Sequence, residues 1–136
     1  MSAVVLDTCA VLWLAFGDPM QPTALASIQG AQASGSALVS PISAWEIAVK
    51  FAKGRLQLDV DPAAWFERFL RLPGIRLVDL TPQLLISSAM LPGQPSGDPA
   101  DRIVIATARD VGAPIVTRDR SILAYAAAGY VAAEPC

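Results

Sequence analysis

A chain of 136 residues with 54% hydrophobic and 16% charged residues suits one compact α/β domain, and a single domain is expected over residues 1–136. It contains no histidine, which excludes Ser-His-Asp and Cys-His catalysis and leaves carboxylates, hydroxyls, Lys or Arg, or a hard cation held by oxygen. A net charge of −2 excludes nucleic-acid binding by a global positive field, so any such role needs local basic groups or a bound cation.

Residues 3–6 predict a short buried strand, and "TCAVLWLAF" behind it has helical length and content, with Thr8 as its expected cap. "GDPMQP" breaks that helix. Residues 23–34 predict a second helix with Thr23 as N-cap, weakened near its end by Gly30. "GSALVSP" reads as a turn and a strand around Ala37 to Val39, ended by Pro41. "SAWEIAVKFAKGRL" opens with Ser43 and Glu46, an S-x-x-E capping box; Trp45, Ala48, Val49 and Ala52 follow at helical spacing, and Gly54 stops the helix. "DPAAWFERFLRL" has Asp61 as N-cap and Pro62 at the first helical position, with Trp65, Phe66, Phe69 and Leu70 as its apolar face.

"GIRLVDL" alternates and is bounded by Pro73-Gly74, a strand signal. "TPQLLISSAML" is a helix capped by Thr81, and residues 92–97, "PGQPSG", are a loop. "DPADRIVIATARDVG" is the clearest helix, with Asp98 as cap, Pro99 at its first position and Gly112 at its stop. "APIVT" is a further buried strand, "RDRSILAYAAAG" a short helix, and "YVAA" a last strand. Strands alternating with helices imply a mostly parallel sheet of four or five strands with helices on both faces. No run reaches the ~18 apolar residues of a membrane span, and the start makes a poor signal peptide, so the expected location is cytoplasmic. Cys9 is expected in the core and Cys136 as an incidental tail thiol, with no disulfide between them.

In open parallel sheets, sites form outside the carboxyl ends of the strands. Asp7 follows the first strand there, Asp119 follows "PIVT", Glu46 opens the helix after "ALVS", and Asp98 and Asp101 open the helix that feeds "PIVT". Each has a local structural reading, as a cap, a capping box or a dipole partner. Together they point elsewhere. Two carboxylates ~4 Å apart repel by about 4 kcal/mol at an effective dielectric of 20, and Mg²⁺ or Mn²⁺ with oxygen ligands compensates such a cluster. Asp18, Asp59, Asp61, Glu67, Asp79, Asp110 and Glu134 fall in turns, caps or outer helix faces and are expected in solvent.

"VVLDTCAVLWL", "SPISAWEIAVKFAKGRL", "GDPADRIVIATA" and "IVTRDRSIL" resemble, in order and spacing, the PIN-domain ribonucleases, specifically VapC-type toxins of bacterial toxin–antitoxin modules, over about residues 3–132. The resemblance implies a PIN-like three-layer α/β fold and an endoribonuclease that hydrolyses RNA with Mg²⁺ or Mn²⁺ and leaves a 5′-phosphate. Carried over by motif, Asp7, Glu46, Asp101 and Asp119 are the implied catalytic metal ligands, with Asp98 supporting. Thr8, Ser43 and Thr117 are the hydroxyls expected to orient them, and Lys50, Lys53, Arg55, Arg102, Arg118 and Arg120 the candidate RNA contacts. A homodimer and a small VapB-like antitoxin are the implied partners. One departure is "LPGQPSGDPADR": Pro95 and Ser96 stand where many relatives carry a histidine, which bears on substrate positioning rather than on the metal site.

Three other readings compete. A phosphotransfer receiver needs a paired acid after the first strand and a late lysine; here the run is "LDTC" and no lysine follows Lys53. An aspartyl phosphatase needs D-x-D, and Cys9 fills the second place. The remaining alternative is a catalytically silent PIN-like module that binds RNA or protein.

Overall fold

The computed structural model describes residues 2–136. In chain order the elements are β1 (Val4–Leu6), α1 (Thr8–Phe16), α2 (Pro22–Ala33), β2 (Ala37–Val39), α3 (Ile42–Ala52), α4 (Pro62–Leu70), β3 (Ile75–Leu77), α5 (Pro82–Ala89), α6 (Pro99–Val111), β4 (Ile115–Thr117), α7 (Arg120–Ala127) and β5 (Ala133–Pro135). The strands form one five-stranded sheet, all parallel, in the order β3-β2-β1-β4-β5. The expected α/β architecture is thus present, with a fifth strand and no antiparallel pair.

Strands of three residues hold because both faces of the central three are covered. Successive side chains point to opposite faces. Val4, Leu6, Ala37, Val39 and Val116 therefore pack with α1, α2, α3 and α4, while Val5, Leu38 and Ile115 pack with α6 and α7. Burial on both sides is why these strands read as continuous apolar runs. The caps of α4, α5 and α6 match expectation: Asp61 accepts from the Ala64 N–H, Thr81 from Leu84 and Asp98 from Ala100, each followed by proline.

Several expectations are corrected. The second helix starts at Pro22 behind Gln21, so Thr23 lies inside it and caps nothing. Ser43 and Glu46 form no capping box: α3 begins at Ile42 behind Pro41, and Ser43 is buried one residue inside it. In α3 the inward residues are Ser43 and Ile47, whereas Trp45 is 61% exposed. The last strand lies at Ala133–Pro135, three residues past the expected start, because Ala133, Glu134 and Pro135 stand opposite Ile115, Val116 and Thr117. Proline is tolerated in that edge strand, where one side lacks a partner. Glu134 is half-buried and accepts from the Ser27 hydroxyl at 2.9 Å. The cysteines exchange their expected places: Cys136 is buried in the core and Cys9 is partly exposed.

The topology opens a crevice at one edge. β1 and β4 are neighbours, yet the chain leaves β1 into α1 on one face and β4 into α7 on the other. Ligand sites in open parallel sheets form at such divergences.

Two glycines offer a paired test of the packing. Gly35 and Gly74 both have positive φ, 69° and 75°. A Cβ at Gly35 meets nothing within 4 Å, whereas one at Gly74 would lie 1.9 Å from the Gln32 carbonyl oxygen. Gly35→Ala is expected to lower the unfolding free energy by about 1–2 kcal/mol, the left-handed penalty alone. Gly74→Ala costs more, because the chain at Gln32 must move. Urea unfolding of both variants measures the difference, and equal losses would contradict this packing.

Candidate metal centre

Asp7 leaves β1 directly into α1. Its backbone N–H donates to the Val116 carbonyl at 3.1 Å, which fixes it against β4. Its Oδ1 accepts from the Thr8 N–H at 2.9 Å and its Oδ2 from the Thr117 hydroxyl at 2.6 Å. Asp7 is therefore the N-cap of α1 itself. Thr8, expected to cap, is the first helical residue and points its hydroxyl elsewhere. That hydroxyl donates to Glu46 Oε1 and lies 2.9 Å from Ser43 Oγ. With the Thr8 proton committed to Glu46, Ser43 is the donor to Thr8, so two hydroxyls in series hold the glutamate.

Asp119 caps α7. Its Oδ1 accepts from the Ser121 and Ile122 N–H groups at 2.8 and 3.1 Å, and its own N–H donates to Thr117 Oγ1 at 2.9 Å. Thr117 thereby accepts from Asp119 and donates to Asp7, tying the ends of β1 and β4 together. Asp98 caps α6 through Oδ1 and is exposed, while Asp101, one turn on, is 9% exposed and accepts from the Ser96 hydroxyl at Oδ2, 3.0 Å away.

All five acids line one open cavity of about 390 Å³. Carboxylate oxygens of Glu46, Asp98 and Asp101 lie within 4.8 Å of one another, the tightest acidic group among the described residues. Asp98, ranked as supporting in the sequence, is one of these three. Among the described residues the one ion pair is Arg68–Asp59, on the surface, so no site acid has a salt-bridge partner. The electrostatics follow. Burial raises the pKa of Asp7, against hydrogen bonds from Thr117 and Thr8. Burial raises that of Glu46 too, against the Thr8 hydrogen bond. Asp101 is pushed up to about 7, first by burial, with the Ser96 hydrogen bond opposing and the charges of Asp119, Asp98 and Asp7 adding. An all-carboxylate donor set, half-buried and with no ion-pair partner among the described residues, fits a small hard cation.

The six basic candidates part company. Lys50 and Arg118 line the cavity. Arg118 is fixed there: Nε donates to the Cys136 carbonyl at 2.8 Å, Nη2 to the Pro19 carbonyl at 3.2 Å, and its guanidinium carbon lies 3.2 Å from the Trp13 ring centroid. Arg102 faces inward, donating to the Ser88, Ser96 and Ala89 carbonyls, so its guanidinium is engaged with the chain's own backbone. Lys53, Arg55 and Arg120 are exposed and lie outside the cavity wall. Trp13, Cys9 and Ser96 were not among the expected site residues. The first two line the cavity, and the third bonds an acid that does. Helix α1 is apolar all round, so its pattern gave no sign of which side chains reach the cavity.

The PIN domain family matches residues 4–128. The chain is 31% identical over 122 residues to Ribonuclease VapC22 of Mycobacterium tuberculosis, covering 90% of this chain and 91% of that one. Its backbone is similar to the crystal structure of VapBC2 from Rickettsia felis bound to a DNA fragment from their promoter, with a TM-score of 0.64, 13% identity and 98% of each chain covered. At that identity the likeness is one of fold.

The crowded acids set a pH dependence. Unfolded, Asp101 titrates near the ordinary value of about 3.9; folded, it holds its proton to about 7. Between these values the folded state binds more protons, so stability is highest at the acid end and falls as pH rises. Asp7 and Glu46, also raised, act with the same sign. In EDTA the thermal midpoint is expected to drop from about pH 5 to about pH 8, and Asp101→Asn to flatten that drop. Thermal unfolding followed by circular dichroism across this range is the check.

Proposed function

The chain belongs to the PIN-domain family, and from that premise we propose that it is a metal-dependent endoribonuclease of the VapC toxin type, neutralised by a VapB-like antitoxin. The observation that carries the reading is the convergence of Asp7, Glu46, Asp98, Asp101 and Asp119 on one cavity, with no salt-bridge partner for any of them among the described residues. Ribonuclease VapC22, nearly coextensive with this chain, supports the same activity.

Mg²⁺ or Mn²⁺ is the cation this oxygen donor set suits, with Asp7, Glu46, Asp98, Asp101 and Asp119 as its ligands. When bound, such an ion supplies polarisation of a phosphate oxygen and activation of water for in-line attack. The protein's own part is positional. Thr117 holds Asp7 against the end of β4, and the Ser43–Thr8 pair holds Glu46, so neither acid is free to swing out of the cavity. Lys50 and Arg118, on the same wall, contact backbone phosphates of an RNA strand drawn to the site. Arg118 arrives preorganised, because its stacking on Trp13 and its two carbonyl bonds leave little entropy to lose on binding. A homodimer and the antitoxin complete the partner set. Trp45 on α3, Ile86 on α5 and Met90 just past its end, 61%, 64% and 76% exposed, are apolar surface of the kind such partners cover.

The purified chain is expected to cleave RNA with Mg²⁺ or Mn²⁺ and to stop on addition of EDTA. Asp7→Asn and Asp101→Asn are each expected to lose more than about 100-fold in rate, above the range for outer partners of a metal site. Gel analysis of end-labelled RNA with these controls is the test. Cleavage that survives both EDTA and Asp7→Asn overturns the mechanism.

A further inference from the structure

Asp101 is the most buried acid of the tight cluster, and it sits one turn into α6, where a flexible side chain would have several rotamers. The loop before it, residues 91–97, contains no regular element and yet is pinned at both ends. At its start the Tyr125 hydroxyl donates to the Pro92 carbonyl at 2.6 Å. Next to that bond, Gly93 has φ 71° and lies so close to the Tyr130 ring that a Cβ would meet it at 2.5 Å. At the loop's end Arg102 Nη1 donates to the Ser96 carbonyl at 3.1 Å, while Nε and Nη2 hold Ser88 and Ala89 at the end of α5. Two anchors therefore fix where residue 96 stands.

The Ser96 hydroxyl has a single proton, and its surroundings decide where that proton goes. The Asp98 backbone N–H, which can only donate, points at Ser96 Oγ from 3.1 Å. One lone pair is thereby taken, and the proton is directed to Asp101 Oδ2 at 3.0 Å. A neutral loop serine is thus converted into an oriented donor that clamps one oxygen of Asp101 and leaves the other for the cavity. Hydroxyls of this kind around metal-binding carboxylates fix ligand orientation and raise metal affinity.

We propose that Ser96 is a positioning residue of the metal centre, held by the Arg102-pinned loop so that its hydroxyl fixes Asp101 in the orientation that binds the cation. This rests on the metal-dependent reading above and deepens it. It also assigns Arg102 to this loop and removes it from the RNA-contacting set.

The test is Mn²⁺ binding by the RNA-free protein, measured by titration calorimetry or by loss of the free-ion electron paramagnetic resonance signal, with RNA kinetics and thermal midpoints alongside. Ser96→Ala is expected to weaken Mn²⁺ binding by about 10-fold or more. The Mn²⁺ needed for half-maximal cleavage rises in parallel, and the KM for RNA at saturating Mn²⁺ stays unchanged. Ser96→Thr keeps the hydroxyl and stays near wild type. Arg102→Gln loosens the loop and weakens Mn²⁺ binding with Ser96 intact. If Ser96→Ala binds Mn²⁺ as tightly as wild type, the proposal is overturned while the nuclease reading stands. If Arg102→Gln raises KM and leaves Mn²⁺ binding alone, the loop-clamp role is wrong and RNA contact is right. If wild type binds no Mn²⁺, both the proposal and the metal-dependent reading fall.

Discussion

Repulsion among carboxylates is the constraint around which this molecule is organised. Three oxygens from Glu46, Asp98 and Asp101 lie within 4.8 Å of one another, and Asp7 and Asp119 border the same cavity. Two ionised carboxylates ~4 Å apart repel by about 4 kcal/mol at an effective dielectric of 20, so crowding of this kind opposes folding. With no salt bridge to them among the described residues, the acids are stabilised by weaker and more numerous devices. Hydroxyls supply one kind: Thr117 on Asp7, Thr8 with Ser43 behind it on Glu46, and Ser96 on Asp101. Helix N-termini supply the other. Helices α1, α6 and α7 begin at Asp7, Asp98 and Asp119, so three positive dipole ends point at the cavity, each worth ~0.3–1 kcal/mol to a nearby carboxylate. Burial, with the neighbouring charges adding to it, still leaves the pKa values of Asp7, Glu46 and Asp101 raised. A cation that binds there is driven partly by the relief of that repulsion.

The sheet is what makes the convergence possible. Because all strands are parallel, every strand ends at the same edge, and every helix that follows a strand begins there. Helix α6 follows α5 instead, and it starts at the same edge because it runs back across the sheet to lead into β4. The divergence of α1 and α7 to opposite faces then opens the space between them. Thr117 closes the back of that space by joining Asp119 to Asp7 across β4 and β1.

Much of this was legible in the chain, for reasons that differ by element. The short strands at Val4–Leu6, Ala37–Val39 and Ile115–Thr117 showed themselves as apolar runs, a direct consequence of burial on both faces. The Asp-Pro and Thr-Pro starts of α4, α5 and α6 are read from single residues, since capping is local. The convergence of the five acids was also legible, from their places after strand ends, whereas several details set by individual tertiary partners were not. Ser43 and Glu46 match a capping box, but burial beside α1 draws both toward Thr8. Strand β5 is defined by backbone pairing to β4, and Glu134 and Pro135 carry no strand signal. Arg102 stands beside Asp101 in sequence, and nothing local says that its guanidinium turns back onto the end of α5. Ser96 depends on a loop whose path is set by Tyr125, Tyr130 and Arg102, residues that lie after it in the chain.

The choice between cap and ligand, which the sequence poses at Asp98 and Asp119, is a false one once oxygens are counted. A carboxylate has two, and a helix cap needs one. Asp98 gives Oδ1 to Ala100, and Asp119 gives Oδ1 to Ser121 and Ile122; in both, Oδ2 is uncommitted. Capping fixes the side chain's rotamer, so the free oxygen points in a defined direction, which is what a metal ligand requires. Structural and chemical roles therefore reinforce each other at these positions. Asp7 differs, since Thr8 takes one oxygen and Thr117 the other. The Cys9 thiol also donates to Oδ2, at 3.7 Å, so the acceptor site left open on Asp7 is the second lone pair of Oδ1. Asp7 is thus buried and held at both oxygens from within the fold, while the more exposed Glu46 and Asp98 face it across the open cavity.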